Sequence, residues 1–202
     1  RIARSPLAKQ LPIVADCANG IADNQVRSRG TIGGSLASGD PSCDWPVLLT
    51  TLDAKLQAQG PGGVRELPVD GFVEDLYVTK LKPGELITGI SFALPVKGSA
   101  GAYVGFKRCA PAYPTISVGV QLSLKGEQCE SVRIALGSAG LTTIHARGAE
   151  AELKGKTLTP AVLARAAEAA VAECDPVDDQ RGSIAFKQSI INAARRRRRC
   201  SR

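Results

Sequence analysis

Two adjacent segments in the middle of the chain constrain its fold more than any other feature. TISVGVQLSL begins at Thr115, SVRIALGSAG begins at Ser131, and the turn between them contains KGEQ. In both segments apolar or small residues alternate with polar ones, which is the pattern of a strand with one buried face. The pair therefore predicts an antiparallel hairpin that packs one face against a core.

The segments around this hairpin predict further strands and helices. LQAQ and VRELPV flank a PGG turn, and ELITGISFALP and GAYVGFKRC have the composition of strands. The apolar spacing between Leu7 and Ile21 predicts one helix that stops at Asn19-Gly20, and another helix is predicted from Asp44, with Pro46 in its first turn. The last third predicts three helices, in RGAEAELKG, TPAVLARAAEAAVAEC and IAFKQSIINAARRR, the second with Thr159 as N-cap and Pro160 at its first position.

These elements predict an α+β fold in two parts, with a boundary near Pro95. Residues 1–95 form a mixed domain, and residues 96–202 form a C-terminal domain of antiparallel sheet plus helices.

Composition and charge exclude several classes of protein. Apolar residues make up 44% of the 202 residues, which supports a globular core. No apolar run reaches the roughly 18 residues of a membrane span. Arg195 to Arg199 supply five of the seven net positive charges, and no aromatic platform accompanies them, so we expect no nucleic-acid binding. The six cysteines are scattered without a C-x-x-C pair, which favours reduced thiols, no metal site and a cytoplasmic protein.

A glycine-rich run at residues 27–46, RSRGTIGGSLASGDPSCDWP, indicates a binding site. Glycine inside a helix or strand costs roughly 0.5–1 kcal/mol relative to alanine, so four glycines in one run need a reason. Gly33 and Gly34 permit positive φ, and successive N–H groups in such a turn converge on a phosphate oxygen. Thr31 and Ser35 add hydroxyl donors. The run predicts a turn that holds a phosphorylated ligand, and a tight loop without a ligand is the alternative.

Asp44 and His145 are candidate functional residues outside the glycines. Asp44 can accept a hydrogen bond from a ribose hydroxyl or cap the helix that begins there, and the two roles can coexist. His145 is the only histidine, so a catalytic pair of histidines is excluded and we expect a packing or surface role.

The segment LKGKT is not a phosphate-binding P-loop, because Glu150 stands where that motif requires glycine. Gly155 is expected to close a helix.

The order of these segments resembles the FAD-binding medium subunit of the molybdenum hydroxylases. The resemblance covers roughly Leu11 to Lys187, and TIGGS with its downstream aspartate is its most specific part. It implies the second lobe of a two-lobed FAD-binding domain, followed by a smaller C-terminal domain. It also implies an oxidoreductase subunit that passes electrons from [2Fe–2S] clusters through FAD to NAD or another acceptor. The implied partners are a molybdenum-cofactor large subunit and a [2Fe–2S] small subunit in a hetero-oligomer.

The resemblance assigns roles to specific residues. Asp44 is expected to make a polar contact with FAD, Ile87 to pack against it, and Lys107 to offset negative charge on the reduced ring; Ile21 aligns with another contact position. A strand-end surface lysine is the alternative for Lys107. The diphosphate is expected to lie against Thr31, Ile32, Gly33, Gly34 and Ser35.

The sequence also departs from the family pattern. It contains no AGGQSL-like glycine loop, which in the family grips the other side of the diphosphate, and its RRRRRCSR end is unlike the family's closing helix. We therefore expect an N-terminally truncated member that binds FAD weakly or not at all by itself. The alternative functions are a non-catalytic remnant that retains partner binding, and a self-contained flavin oxidoreductase.

Overall fold

The structure is a computed structural model that describes residues 2–96, 98–109 and 112–193. After a 3-10 turn at Ile2–Arg4, its helices are α1 (Pro6–Gln10), α2 (Pro12–Gly20), α3 (Asn24–Arg29), α4 (Ile32–Ala37), α5 (Asp44–Thr51), α6 (Arg147–Leu153), α7 (Pro160–Ala172) and α8 (Ile184–Ala193). Its strands are β1 (Lys55–Gly60), β2 (Gly63–Pro68), β3 (Val73–Asp75), β4 (Val78–Thr79), β5 (Leu86–Ser91), β6 (Ala100–Phe106), β7 (Ile116–Lys125), β8 (Gln128–Gly137) and β9 (Ile144–His145). The predicted α+β fold class is confirmed.

The larger sheet has four antiparallel strands in the order β6-β7-β8-β9. The predicted hairpin is confirmed: β7 pairs with β8 through a turn in which Lys125 lies opposite Gln128. Gly126 in this turn has φ +63°, a backbone conformation that favours glycine. Because side chains alternate along each strand, the sheet has two faces, and both are covered by helices.

One face of this sheet carries small residues and packs against α2 and α5. Tyr103, Gly119 and Ala135 lie opposite one another on β6, β7 and β8. A Cβ atom added to Gly137 on the same face would lie 2.5 Å from Cγ2 of Val47 in α5, so glycine is needed for this close approach. Tyr103 and Ala135 share a buried core with α2 and α5. This packing brings the start of α5 onto β6.

The opposite face forms a second core with α6 and α7. Ile134 and Leu136 of β8 pack there with Leu153 of α6 and Val162 of α7. Helix α7 begins as predicted: the N–H of Val162 donates to Oγ1 of Thr159 at 3.3 Å. Gly155 follows α6 with φ +75°, as expected for a residue that ends a helix.

The smaller sheet positions Ile87 near the glycine run. Strands β2-β1-β5 pair antiparallel, with the predicted PGG turn between β1 and β2. Leu56 and Ala58 of β1 are fully buried, and Ala58 lies opposite Ile87 on β5. Helix α4 packs against β5. The short pair β3-β4 was not predicted from the sequence.

The single helix predicted from Leu7 to Ile21 is wrong. Leu11, with φ −131° and ψ 83°, separates α1 from α2. Pro12 has no N–H with which to continue α1, but it suits the first position of α2. The predicted end at Gly20 agrees with the end of α2.

Several other predictions concern the chain as a whole. No helix within the described residues is long and apolar enough to cross a membrane. The five cysteines that the structure describes are free thiols, and Cys200 and the arginine run 195–199 lie outside the described residues. The core that includes α2 and α5, here called the N-terminal core, contains residues before Pro95 and also Tyr103 and Ala135 after it. The division into residues 1–95 and 96–202 therefore stays a prediction.

Candidate functional site

The central part of the glycine run forms the first turn of α4. Thr31 is the N-cap, with its Oγ1 accepting from the N–H of Gly34 at 2.9 Å and its carbonyl accepting from the N–H of Ser35 at 3.0 Å. Gly33 and Gly34 therefore lie in a helix, and neither has the positive φ that glycine permits. The predicted turn is the start of a helix, which Thr31 caps through the N–H of Gly34.

Two N–H groups at this helix start remain available. The N–H groups of Ile32 and Gly33 have no protein acceptor within the described part of the chain. Thr31 and Gly34 are exposed, and Ile32, Gly33 and Ser35 are partly exposed. Free N–H groups and the helix dipole together favour an anion at such an end. Two of the amides that the sequence predicted to face a phosphate are therefore unpaired, and those of Gly34 and Ser35 are engaged by Thr31.

A side chain would be disfavoured at Gly34 but not at Gly33, the two glycines of α4. A Cβ atom on Gly33 would meet Ile87 at 3.6 Å, an ordinary contact, so Gly33 lies directly beside this side chain. A Cβ atom on Gly34 would lie 2.9 Å from Oγ1 of Thr31 and would disturb the cap. The structure thus places Ile87 beside the TIGGS segment, and its packing against FAD stays a prediction.

Asp44 lies inside the protein, between β6 and the end of Lys107. Its Oδ1 accepts from the hydroxyl of Tyr103 at 2.7 Å, and its Oδ2 lies 3.8 Å from Nζ of Lys107. Burial raises the pKa of Asp44, and the Tyr103 hydrogen bond and the Lys107 charge oppose that rise. The N-cap of α5 is Cys43, which makes no side-chain capping bond, so the predicted capping role of Asp44 is wrong. Because its side chain is only 3% exposed, a polar contact with a cofactor stays a prediction.

Lys107 links the end of β6 to the end of α2. Its Nζ donates to the carbonyl oxygen of Gly20, and its side chain is 14% exposed. Lys107 thus donates to one carbonyl and lies at ion-pair distance from Asp44, and its role near the flavin stays a prediction. The next residue in the chain after Gly20 is Ile21, which is partly buried against the N-terminal core. The carbonyl of Ile21 accepts from the guanidinium of Arg27.

Gly39 ends the glycine run and is the glycine there that requires a left-handed backbone. It has φ +63°, and its carbonyl accepts from the N–H of Tyr77 at 3.1 Å. A Cβ atom on Gly39 would lie 3.0 Å from the Cα of Tyr77. Tyr77 has φ +59°, which is unusual for a bulky residue, and its side chain is exposed. The hairpin that carries Tyr77 is therefore held directly beside α4.

Sequence reasoning missed Tyr103 and Gly39 as parts of this site. Tyr103 lies 59 positions from Asp44 in the sequence, so only the packing of α5 on β6 brings them together. No local signal could identify that pair. For Gly39, the following Asp40 and Pro41 did provide a turn signal.

His145 has the packing role that the sequence predicted. Its ring nitrogens lie 2.7 Å from Oδ2 of Asp70 and 2.8 Å from Oε1 of Glu150, and its side chain is 7% exposed. Both nitrogens are therefore engaged by carboxylates. Arg147 also donates to Asp70. His145 connects the loop after β2 to α6.

Comparisons with known proteins cover almost the whole chain. A protein-family model described as the FAD binding domain in molybdopterin dehydrogenase matches residues 1–95, and one described as the CO dehydrogenase flavoprotein C-terminal domain matches residues 101–198. The carbon monoxide dehydrogenase medium chain of Hydrogenophaga pseudoflava is 36% identical over 92% of this chain and 65% of the relative. The nicotine 6-hydroxylase medium subunit of Paenarthrobacter nicotinovorans is 33% identical over 97% of this chain and 69% of the relative. The chain thus spans about two thirds of the length of such relatives.

Solved structures agree with these matches. A carbon monoxide dehydrogenase structure from Hydrogenophaga pseudoflava superposes with a TM-score of 0.93, covering 96% of this chain and 68% of that one at 36% identity. Quinoline 2-oxidoreductase from Pseudomonas putida 86 gives a TM-score of 0.88 at 31% identity, covering 96% of this chain and 68% of that one. The two-part fold, the TIGGS segment and these similarities agree, and the chain belongs to the FAD-binding medium subunits of the molybdenum hydroxylase family.

Proposed function

We propose that this chain forms the FAD-holding part of an electron-transfer subunit in a molybdenum-containing oxidoreductase. Bound FAD would receive electrons from [2Fe–2S] clusters on a small subunit and would pass them to NAD or another acceptor. The substrate is oxidised on a molybdenum-cofactor large subunit, so the working protein is a hetero-oligomer. We place it in the cytoplasm, in keeping with its free thiols.

The observation that supports this proposal most directly is the pair of free N–H groups at Ile32 and Gly33. They lie at an exposed helix start, where a phosphate oxygen would complete their hydrogen bonding. Gly33 has no side chain, so β5 with Ile87 can lie directly against the start of α4. The residues present therefore fit one side of a diphosphate.

The surrounding residues would orient the rest of the cofactor. Bound FAD would supply the redox chemistry, and the protein would supply position and electrostatics. Ile87, packed beside Gly33, provides an apolar surface next to the phosphate site. Lys107 supplies a positive charge whose position is fixed by Asp44 and by the carbonyl of Gly20. Asp44 thereby also acts through Lys107, whether or not its own carboxylate reaches the cofactor.

This chain offers one glycine segment of the kind that the family uses in pairs. A diphosphate held from one side only loses part of its hydrogen bonding, so we predict that the 202-residue chain binds FAD weakly or not at all alone. The complete protein should bind it tightly. Stoichiometric FAD on the isolated 202-residue chain would contradict this prediction.

The function is tested by measuring the flavin in the complete protein. Acid release should give FAD in stoichiometric amount, detected by its fluorescence, and NADH should bleach the bound flavin if NAD is the acceptor. A complete protein without flavin would favour the alternative of a non-catalytic remnant. NADH oxidation by a dye in the absence of partner subunits would favour a self-contained oxidoreductase.

A further inference from the structure

Lys187 on α8 is a buried cation with two fixed partners. Its side chain is 1% exposed, its Nζ lies 2.9 Å from Oδ2 of Asp179, and it donates to the carbonyl of Val177 at 2.8 Å. Taking an ammonium group out of water costs several kcal/mol unless it is paired and hydrogen-bonded. Asp179 must therefore stay in place for α8 to pack as it does.

Asp179 in turn organises a tight turn that contains Arg181. Its Oδ1 accepts from the N–H of Arg181 at 2.8 Å and from the N–H of Gly182 at 3.2 Å. Its Oδ2 accepts from Nε of Arg181 at 3.1 Å. The two backbone bonds stabilise the turn itself, whereas the guanidinium contact acts on the side chain of Arg181. It fixes the direction of the Arg181 side chain.

The Arg181 side chain reaches residues 112–115, the segment that precedes β7. The guanidinium carbon of Arg181 lies 5.9 Å from the ring centroid of Tyr113, within the range of a cation–π contact. The carbonyl of Arg181 accepts from Oγ1 of Thr115 at 3.3 Å. The turn therefore holds this segment by one side-chain contact and one backbone contact.

The same segment touches the candidate site from the other side. A Cβ atom on Gly105 of β6 would lie 3.5 Å from both Cε of Lys107 and Cβ of Pro114, and 3.7 Å from Oδ1 of Asp44, so all three side chains border Gly105. Burial raises the pKa of the Tyr113 hydroxyl, and the nearby Cys43 and Asp40 add to this rise. Tyr113 is therefore near Cys43 and Asp40, in the stretch between α4 and α5.

We propose that Arg181 is a positioning residue for the proposed FAD site. Held by Asp179, it fixes Tyr113 and Thr115, and these hold their segment against Lys107 and the end of the glycine run. This inference rests on the proposed function, because it concerns the same site. It adds a residue from the last quarter of the chain, which neither the glycine run nor the resemblance indicated.

The test uses the complete protein with Arg181→Met, Arg181→Lys and, as a matched control, Arg165→Met. Arg165 is a half-exposed arginine on α7, paired with Glu152 away from the site. The N–H of Thr115, which donates to the carbonyl of Phe106 at 2.8 Å, reports on the segment through its hydrogen exchange. In Arg181→Met this N–H should exchange faster, and FAD should dissociate about two- to fivefold faster, as expected for one exposed cation–π contact. In Arg181→Lys the exchange rate of the Thr115 N–H and the FAD dissociation rate should both lie closer to those of the unaltered protein. Arg165→Met should match the unaltered protein in both rates.

A double-mutant cycle keeps the proposal testable if Arg181→Met lowers overall stability. In a Tyr113→Leu background, adding Arg181→Met should no longer change the FAD dissociation rate, because the contact is already absent. Additive effects in this cycle, or unaltered exchange and dissociation in Arg181→Met, would overturn the proposal. If the unaltered complete protein holds no FAD, the proposed function fails, while the exchange of Thr115 still tests the contact with Arg181.

Discussion

Replacing Ile32 with proline should remove one of the two free N–H groups and leave α4 intact. Proline suits the first position of a helix, because its φ is already helical and the N–H that it lacks has no intrahelical acceptor. Helices α1, α2 and α7 of this chain already begin with proline. Thr31, which would precede the new proline, has φ −123° and ψ 153°, the extended conformation that proline favours in its neighbour.

The expected loss of affinity follows from one missing hydrogen bond. A hydrogen bond from an N–H to a charged group contributes about 1.5–3 kcal/mol. Since 1.4 kcal/mol corresponds to tenfold in affinity, Ile32→Pro should raise the dissociation constant of FAD about 10- to 100-fold. The Ile32 side chain also packs against the N-terminal core. Ile32→Ala, which shortens the side chain and keeps the N–H, is therefore the matched control.

The assay is a titration of FAD into the flavin-free complete protein, followed by flavin fluorescence. Thermal unfolding of both variants measures the packing that each has lost, and the two should unfold at similar temperatures. Ile32→Ala should retain most of the affinity, and Ile32→Pro should lose it. Equal dissociation constants for the two variants would refute the reasoning, because the N–H of Ile32 would then make no bond to the cofactor.

Three further predictions concern the Thr31 cap, the bond between Tyr103 and Asp44, and the bond between Asp70 and His145. Gly34→Val should reduce flavin retention and lower the melting temperature by a few degrees, because its Cβ would displace the Thr31 cap, which contributes about 1 kcal/mol; an unchanged melt would contradict this. Asp44→Ala should cost about 2–3 kcal/mol in urea unfolding, since it leaves the Tyr103 hydroxyl buried without an acceptor, and should also weaken FAD binding. Burial acts to raise the pKa of Asp70, but its His145 hydrogen bond and nearby positive charges hold it below its ordinary 3.8. Asp70 therefore adds stability above pH 3.8 that is lost as the pH falls through the lowered pKa, and Asp70→Asn should flatten this acid limb of the unfolding curve.

The elements that the sequence predicted correctly are those with strong local signals. The β7-β8 hairpin follows from alternation on both sides of a glycine turn, and α7 follows from Thr159 and Pro160 at its start. The break at Leu11 was missed, although Pro12 is a local signal, because the apolar spacing continues across it. Helix α4 was missed because two adjacent glycines in six residues oppose helix formation by propensity alone.

Some features of the candidate site were also indicated by the sequence, and others depend on tertiary packing. The glycine-rich run indicated the TIGGS segment, and the family resemblance indicated Ile87 and Lys107, whose contacts with a cofactor stay predictions. It placed Asp44 at the start of a helix but could not show that its carboxylate is buried against Tyr103. That contact depends on small residues across β6, β7 and β8, which let α5 approach the sheet.

Local signals in the sequence therefore predicted most of the strands and the last helices, and the order of the segments indicated the family. Only the packing of distant segments shows that Asp44 is buried against Tyr103 and that Lys107 lies between Asp44 and the carbonyl of Gly20. The reason is physical: turns, caps and alternation depend on neighbours within a few residues. The burial of a carboxylate and the pairing of a lysine depend on which distant surfaces pack together.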